Sequence, residues 1–129
     1  MPLATILIED SAMIRESLIA ALNELADAEV IAVADTAAEG IAAMKSHAGR
    51  WQLVVVDMFL QQGNGLEVLR FASDRRSDQH ILVLTNYATD DIRRRSALAG
   101  ADAVFDKSTE IDLFLALCRT YASAMGPPD

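Results

Sequence analysis

At 129 residues, with 52% hydrophobic residues and a formal charge of −8, the chain is sized for one domain with its own core and is too apolar to stay disordered. Its acidity argues against general nucleic-acid binding, which needs a positive footprint. No apolar run reaches the ~20 residues that span a bilayer, and the single cysteine excludes an internal disulfide or a multi-cysteine metal site.

The N-terminus has no basic n-region, and its apolar run soon meets Glu9-Asp10, so it does not read as a signal peptide. These features favour the cytoplasm. Short β-branched runs then alternate with longer amphipathic stretches. The first strand is predicted over Thr5–Ile8. The first helix covers Ala12–Ala26, where Ile14, Leu18, Leu22 and Leu25 recur at helical spacing. A second strand, Val30–Val33, precedes a helix over Thr36–His47, whose Thr36 and Glu39 fit a capping box. Strand Leu53–Val56 ends at Asp57, and helix Gly65–Ser73 follows Asn64 as a candidate N-cap. Strand Ile81–Leu84 ends at Thr85. Helix Asp90–Ala99 is bracketed by Thr89 as N-cap and Gly100 as C′ residue. The fifth strand, Ala103–Phe105, ends near Lys107, and the fifth helix, Ile111–Ala124, stops at Gly126-Pro127-Pro128.

Several residues read as structural. Cys118, among Leu113, Phe114 and Leu117, reads as a small buried hydrophobe. Trp51 reads as packing, and His47 and His80 as surface or edge residues. Arg93-Arg94-Arg95 reads as a solvated helix face, partly neutralised by Asp90-Asp91.

This (βα)5 order implies an α/β fold, a doubly wound five-stranded parallel sheet with right-handed crossovers and helices on both faces. The flavodoxin-like strand order 2-1-3-4-5 is expected. In such sheets ligands bind beyond the carboxyl ends of the strands, where the strand order reverses. With the first strand central, Glu9, Asp10 and Asp57 converge, and Thr85 and Lys107 end neighbouring runs. At ~4 Å and an effective dielectric of ~20, each like-charged pair costs about 4 kcal/mol, which points to a bound cation. All-oxygen ligands with room for water suit Mg²⁺ (or Mn²⁺), and no His or Cys pattern suggests zinc. A carboxylate can attack phosphorus to give an aspartyl phosphate. Asp57 is the best-placed nucleophile, with Mg²⁺, Lys107 and Thr85 or nearby backbone N–H groups to meet the equatorial oxygens.

This set of residues resembles the receiver domain of two-component response regulators across essentially the whole chain. The resemblance rests on Ile-Glu-Asp-Ser at 8–11, Val-Val-Val-Asp-Met at 54–58 with Gly65 beyond it, Leu-Thr at 84–85, and Gly-Ala-Asp through Lys over 100–107. It implies that Asp57 takes a phosphoryl group from a sensor histidine kinase or a histidine phosphotransfer protein. It implies that Asp10 binds Mg²⁺ directly, Glu9 mostly through water, and Phe59 through its backbone carbonyl. Thr85 is implied to move toward the phosphoryl group, Lys107 to pair with it, and the surface of the fourth helix, fifth strand and fifth helix to change. The chain is expected to be a single-domain response regulator: a receiver over 1–125, then a short tail at 126–129, with no output domain. Its output is then an unidentified downstream protein, reached without direct nucleic-acid or membrane contact. A homodimer through the Asp90–Ala99 helix face is a further expectation, with Arg93–Arg95 pairing to acids such as Asp102.

The chain also departs from that pattern. The usual switch aromatic is Val104, with Phe105 beside it; Phe105 reads as core, leaving the switch to Thr85 and loop motion. Ser108 replaces a common cis-proline, and a cis bond there costs ~3 kcal/mol, so a trans peptide is expected. Gln61 stands where a proline is usual, and Asn86 where a small residue is. Phe59 and Tyr87 hold the two variable positions flanking the phosphoryl group and are large enough to shield it from water. Rival readings fare worse. A haloacid dehalogenase-type phosphohydrolase needs an aspartate where Phe59 stands. A nucleotide- or flavin-binding domain needs a Gly-rich loop where Glu9-Asp10-Ser11 stands. The runner-up is a phosphorylation-independent, receiver-like interaction module.

Overall fold

The computed structural model describes residues 2–125; the predicted tail at 126–129, with its Gly-Pro-Pro stop, lies outside them. Among the described residues, strands β1 (Leu3–Ile8), β2 (Ala28–Ala34), β3 (Leu53–Val56), β4 (His80–Thr85) and β5 (Ala103–Asp106) alternate with helices α1 (Ala12–Leu25), α2 (Ala37–Ser46), α3 (Gly65–Phe71), α4 (Asp90–Leu98) and α5 (Ile111–Ala124). The strands form one parallel sheet in the order β2-β1-β3-β4-β5, as the sequence implies.

The continuous apolar runs are explained by burial on both faces. Side chains alternate across a strand. Leu7, Leu53, Val55, Leu82 and Leu84 therefore join Leu18, Leu22, Phe114 and Cys118 in the layer under α1 and α5. Ile6, Ile8, Val54, Val56, Ile81 and Val83 join Met44, Val68 and Leu69 in the layer under α2 and α3. Cys118 and Trp51 are buried, as expected. Phe105 is partly buried and packs against the core on Phe114, with ring centroids 5.9 Å apart.

Thr36, Asn64 and Thr89 cap α2, α3 and α4 by accepting from Glu39, Glu67 and Ile92 N–H. Thr36 and His47 thus lie just outside α2 rather than inside it, and Ala26 and Ala99 likewise end as caps. The return half of the box differs: Glu39 accepts from Asp35 N–H, not from Thr36. Ser11 caps α1 in the same manner, accepting from Ile14 N–H. Gly100 follows α4 at φ +107°, the left-handed region expected of a C′ glycine. No cis peptide occurs among the described residues, so Lys107–Ser108 is trans.

His80 starts β4 and stacks on Tyr121 of α5, ring centroids 3.7 Å apart. Burial lowers its pKa; Asp102 and Asp78 oppose that, and Arg75 adds to it. A lowered histidine pKa means that the folded state favours the neutral ring. Stability is then complete above the ordinary value of 6.5 and declines as pH falls below it. Between pH 7.5 and 5.5, His80→Gln is expected to lose less stability than the parent in paired urea titrations; equal losses would contradict this.

Candidate functional site

Registers bring the strand ends level. Ile8 pairs with Val56, Val56 with Val83, and Thr85 with Asp106. The residues that follow, Glu9-Asp10, Asp57 and Lys107, therefore emerge at one edge of the sheet with Thr85. The carboxylates of Glu9, Asp10 and Asp57 each place an oxygen within 4.8 Å of the others. Asp57 is set between them and Thr85 because β3 lies between β1 and β4.

Each carboxylate oxygen of two of these acids has a partner. Glu9 Oε2 accepts from Ser11 N–H at 3.0 Å, and Glu9 Oε1 from the Lys107 ammonium. Asp57 Oδ1 accepts from Phe59 N–H at 3.3 Å, and Asp57 Oδ2 from Lys107 Nζ at 2.8 Å. Lys107 therefore bridges Glu9 and Asp57. Burial pushes its pKa down, but hydrogen bonds and charges from Asp57 and Glu9 outweigh that and raise it overall. The Glu9, Asp57 and Lys107 side chains are 2%, 11% and 10% exposed, so little water screens them. Asp10 is exposed.

Thr85 is fully buried, and its hydroxyl accepts from Tyr87 N–H at 3.2 Å. Its carbonyl accepts from Lys107 N–H at 3.0 Å, tying the two arms of the site at the backbone. Phe59 and Tyr87 meet edge-to-face, ring centroids 5.1 Å apart, and both are largely exposed. The two large residues that the sequence places beside the site thus touch across it. Gly65 is required behind Asp57: a Cβ there would lie 3.0 Å from the Asp57 carbonyl oxygen and 3.1 Å from Met58 Cα, both backbone atoms that cannot rotate away.

Some neighbours of the site escaped the sequence reading. Arg15 donates to the Glu9 carbonyl at 3.0 Å and pairs with Asp35. Arg94 and Arg95 share Asp91 on the exposed face of α4, as a solvated run should. Arg93 does not. Its guanidinium donates to the Ala88 carbonyl, the Val104 carbonyl and Glu110, which corrects the reading of the whole run as a solvated face. Asp102 Oδ2 accepts within the chain from Arg75 at 2.9 Å and from Ile81 N–H at 2.8 Å. An acid three or four positions after a turn aspartate was the available signal for Glu110.

The donor set is three clustered carboxylates, a hard-oxygen site of the kind that suits Mg²⁺ or Mn²⁺ and offers nothing to a thiophilic metal. Fold and site together define a flavodoxin-like α/β domain with an acidic pocket at its topological switch point. A family model described as the response regulator receiver domain matches residues 5–119. The chain belongs to that family, a signalling domain of two-component systems.

Among curated proteins, the DNA-binding transcriptional activator DevR/DosR of Mycobacterium tuberculosis is 33% identical over 95 residues, 74% of this chain and 43% of that protein. The acid tolerance regulatory protein ActR of Rhizobium meliloti is 29% identical over 100 residues, 77% of this chain and 50% of that protein. The chain thus spans half or less of these relatives. Among solved structures, the REC domain of AraT, a response regulator from Geobacillus stearothermophilus, superposes with a TM-score of 0.79 at 21% identity, covering 98% of this chain and 100% of that one. A response regulator protein from Burkholderia pseudomallei, solved with a phosphorylated aspartic acid, calcium ion and citrate, gives 0.76 at 24% identity over 95% of this chain and 70% of that one. At these identities the likeness shows the fold. No described helix is long and apolar enough to cross a membrane.

Proposed function

We propose that Asp57 is the phosphoacceptor of a receiver domain that switches protein–protein contacts. The observation that carries this is the position of the Asp57 carboxylate, 2.8 Å from the Lys107 ammonium and grouped with Glu9 and Asp10. Receiver domains work with histidine kinases or phosphotransfer proteins, and a phosphohistidine on such a partner is the proposed donor. An Asp57 carboxylate oxygen forms the new P–O bond as the P–N bond breaks, and the electron pair leaves with the imidazole nitrogen. Glu9, Asp10, Asp57 and the Phe59 carbonyl would hold Mg²⁺ or Mn²⁺, which supplies positive charge to the transferring group.

The chain's own residues do the rest. Lys107 neutralises a phosphoryl oxygen without travelling far, since it already contacts Asp57. Thr85 exchanges its bond from Tyr87 N–H for one to the phosphoryl group, and that shift moves the loop before α4. The Phe59–Tyr87 pair limits water access, so loss of phosphate by self-catalysed hydrolysis is slow. Output passes to a further protein in the cytoplasm, and the α4 face is a candidate surface for a second copy. The net charge of −8 gives this domain no footprint for nucleic acid.

Incubation with acetyl phosphate and Mg²⁺ tests the reading. A mass gain of one phosphoryl group, mapped to Asp57 and absent in Asp57→Asn, is expected. A mass unchanged in the parent protein would overturn it and favour a module that binds without phosphorylation.

A further inference from the structure

We infer that Arg93 is a positioning residue that clamps together two arms of the Asp57 site, an inference that rests on the phosphoacceptor reading only for its kinetic consequence. One arm runs from Thr85, the last residue of β4, through Tyr87 and Ala88. The other is the turn from Asp106 to Glu110, which carries Lys107. Arg93 Nε donates to the Ala88 carbonyl at 3.0 Å, on the first arm. One terminal nitrogen donates to the Val104 carbonyl at 3.0 Å, in β5. The other donates to Glu110 Oε1 at 2.6 Å, on the second arm.

Glu110 Oε1 also accepts from Asp106 N–H at 2.9 Å, one residue before Lys107. The remainder of that turn is closed by Asp106 Oδ1, which accepts from Ser108 N–H at 2.7 Å and Thr109 N–H at 3.2 Å. The turn is thus held from within by Asp106 and from outside by the Glu110–Arg93 pair, the Lys107 N–H bond to Thr85 and the Lys107 ammonium on Glu9 and Asp57. Val104, where the family resemblance places a switch aromatic, instead offers its backbone carbonyl to the clamp. A guanidinium suits this task because its planar fork spreads donors over three nitrogens and so reaches acceptors on separate elements, whereas an ammonium has all its donors on one nitrogen. Arg93 and Glu110 are 39% and 26% exposed, so the clamp can open without unfolding the core.

Amide exchange resolved by NMR, on the full chain without any phosphoryl donor, tests the clamp directly. Arg93→Ala and Glu110→Ala are each expected to speed exchange at Tyr87, Thr89 and Lys107 by roughly three- to tenfold, since both remove the partly exposed charge-assisted bond between the two residues. Combining them should add little, since both remove one unit. Arg93→Lys, which keeps the charge, should not restore slow exchange at Tyr87 and Thr89. With acetyl phosphate and Mg²⁺, the same variants should gain mass more slowly by a similar factor, with melting temperature lowered by only a few degrees. Unaltered Tyr87 and Thr89 exchange in both Arg93→Ala and Glu110→Ala would overturn the clamp, because Arg93 is what joins the Ala88 carbonyl to Glu110. If amide exchange responds but the parent never gains mass, the clamp stands and the phosphoacceptor reading fails.

Discussion

Replacing Lys107 with methionine is expected to cost about 3 kcal/mol, roughly 10 °C in melting temperature. The reason is what remains behind. Glu9 and Asp57 are nearly buried and each gives one oxygen to the ammonium. Without it, two adjacent carboxylates sit beside Asp10 with no other ion-pair partner among the described residues. Burial opposes the Lys107 charge, but the two acids prevail and its pKa is raised. A raised lysine pKa means that its contribution is intact at neutral pH and fades only as pH climbs past the ordinary lysine value. Added Mg²⁺ should recover more stability in Lys107→Met than in the parent, because the variant's pocket is more negative. Melts of both proteins with and without millimolar MgCl₂ decide this; a variant as stable as the parent would show that the acids are stabilised by other means.

Opening the aromatic pair is expected to shorten the phosphoryl lifetime. Phe59→Asn with Tyr87→Glu should do so by about tenfold, equivalent to ~1.4 kcal/mol in the hydrolysis barrier. The two rings touch edge-to-face, so each fixes the other. Each single substitution should therefore deliver much of the effect, and the double variant should fall short of their product. Decay followed on phosphate-affinity gels gives the half-life. A double variant that keeps the parent half-life would show that water reaches Asp57 by another path.

The fold was legible because its three inner strands, β1, β3 and β4, are buried on both faces and so carry nearly unbroken apolar runs. β3 runs as predicted over Leu53–Val56, but the ends of β2 were not legible. β2 begins at Ala28 and ends at Ala34, residues with weak strand preference that the backbone ladder to Leu3 and Ile8 enlists regardless. The acidic trio, Thr85 and Lys107 were legible because each follows an apolar run, and a parallel sheet carries all such positions to one edge. Arg93 was not legible, because three successive arginines on a polar helix look alike in sequence. Only the turn of α4 separates the one that faces β5 from the two that face solvent. Asp102 escaped for a similar reason: its partner, Arg75, lies across the sheet edge and 27 positions away.

The lone tryptophan has a practical consequence. Trp51 is buried just ahead of β3, and Asp57 stands just past its other end. Six residues of extended chain separate indole and acceptor by roughly 20 Å. Intrinsic fluorescence should therefore report global unfolding cleanly and stay nearly silent when the pocket is filled, so site occupancy needs an optical probe placed elsewhere, such as a label near Tyr87.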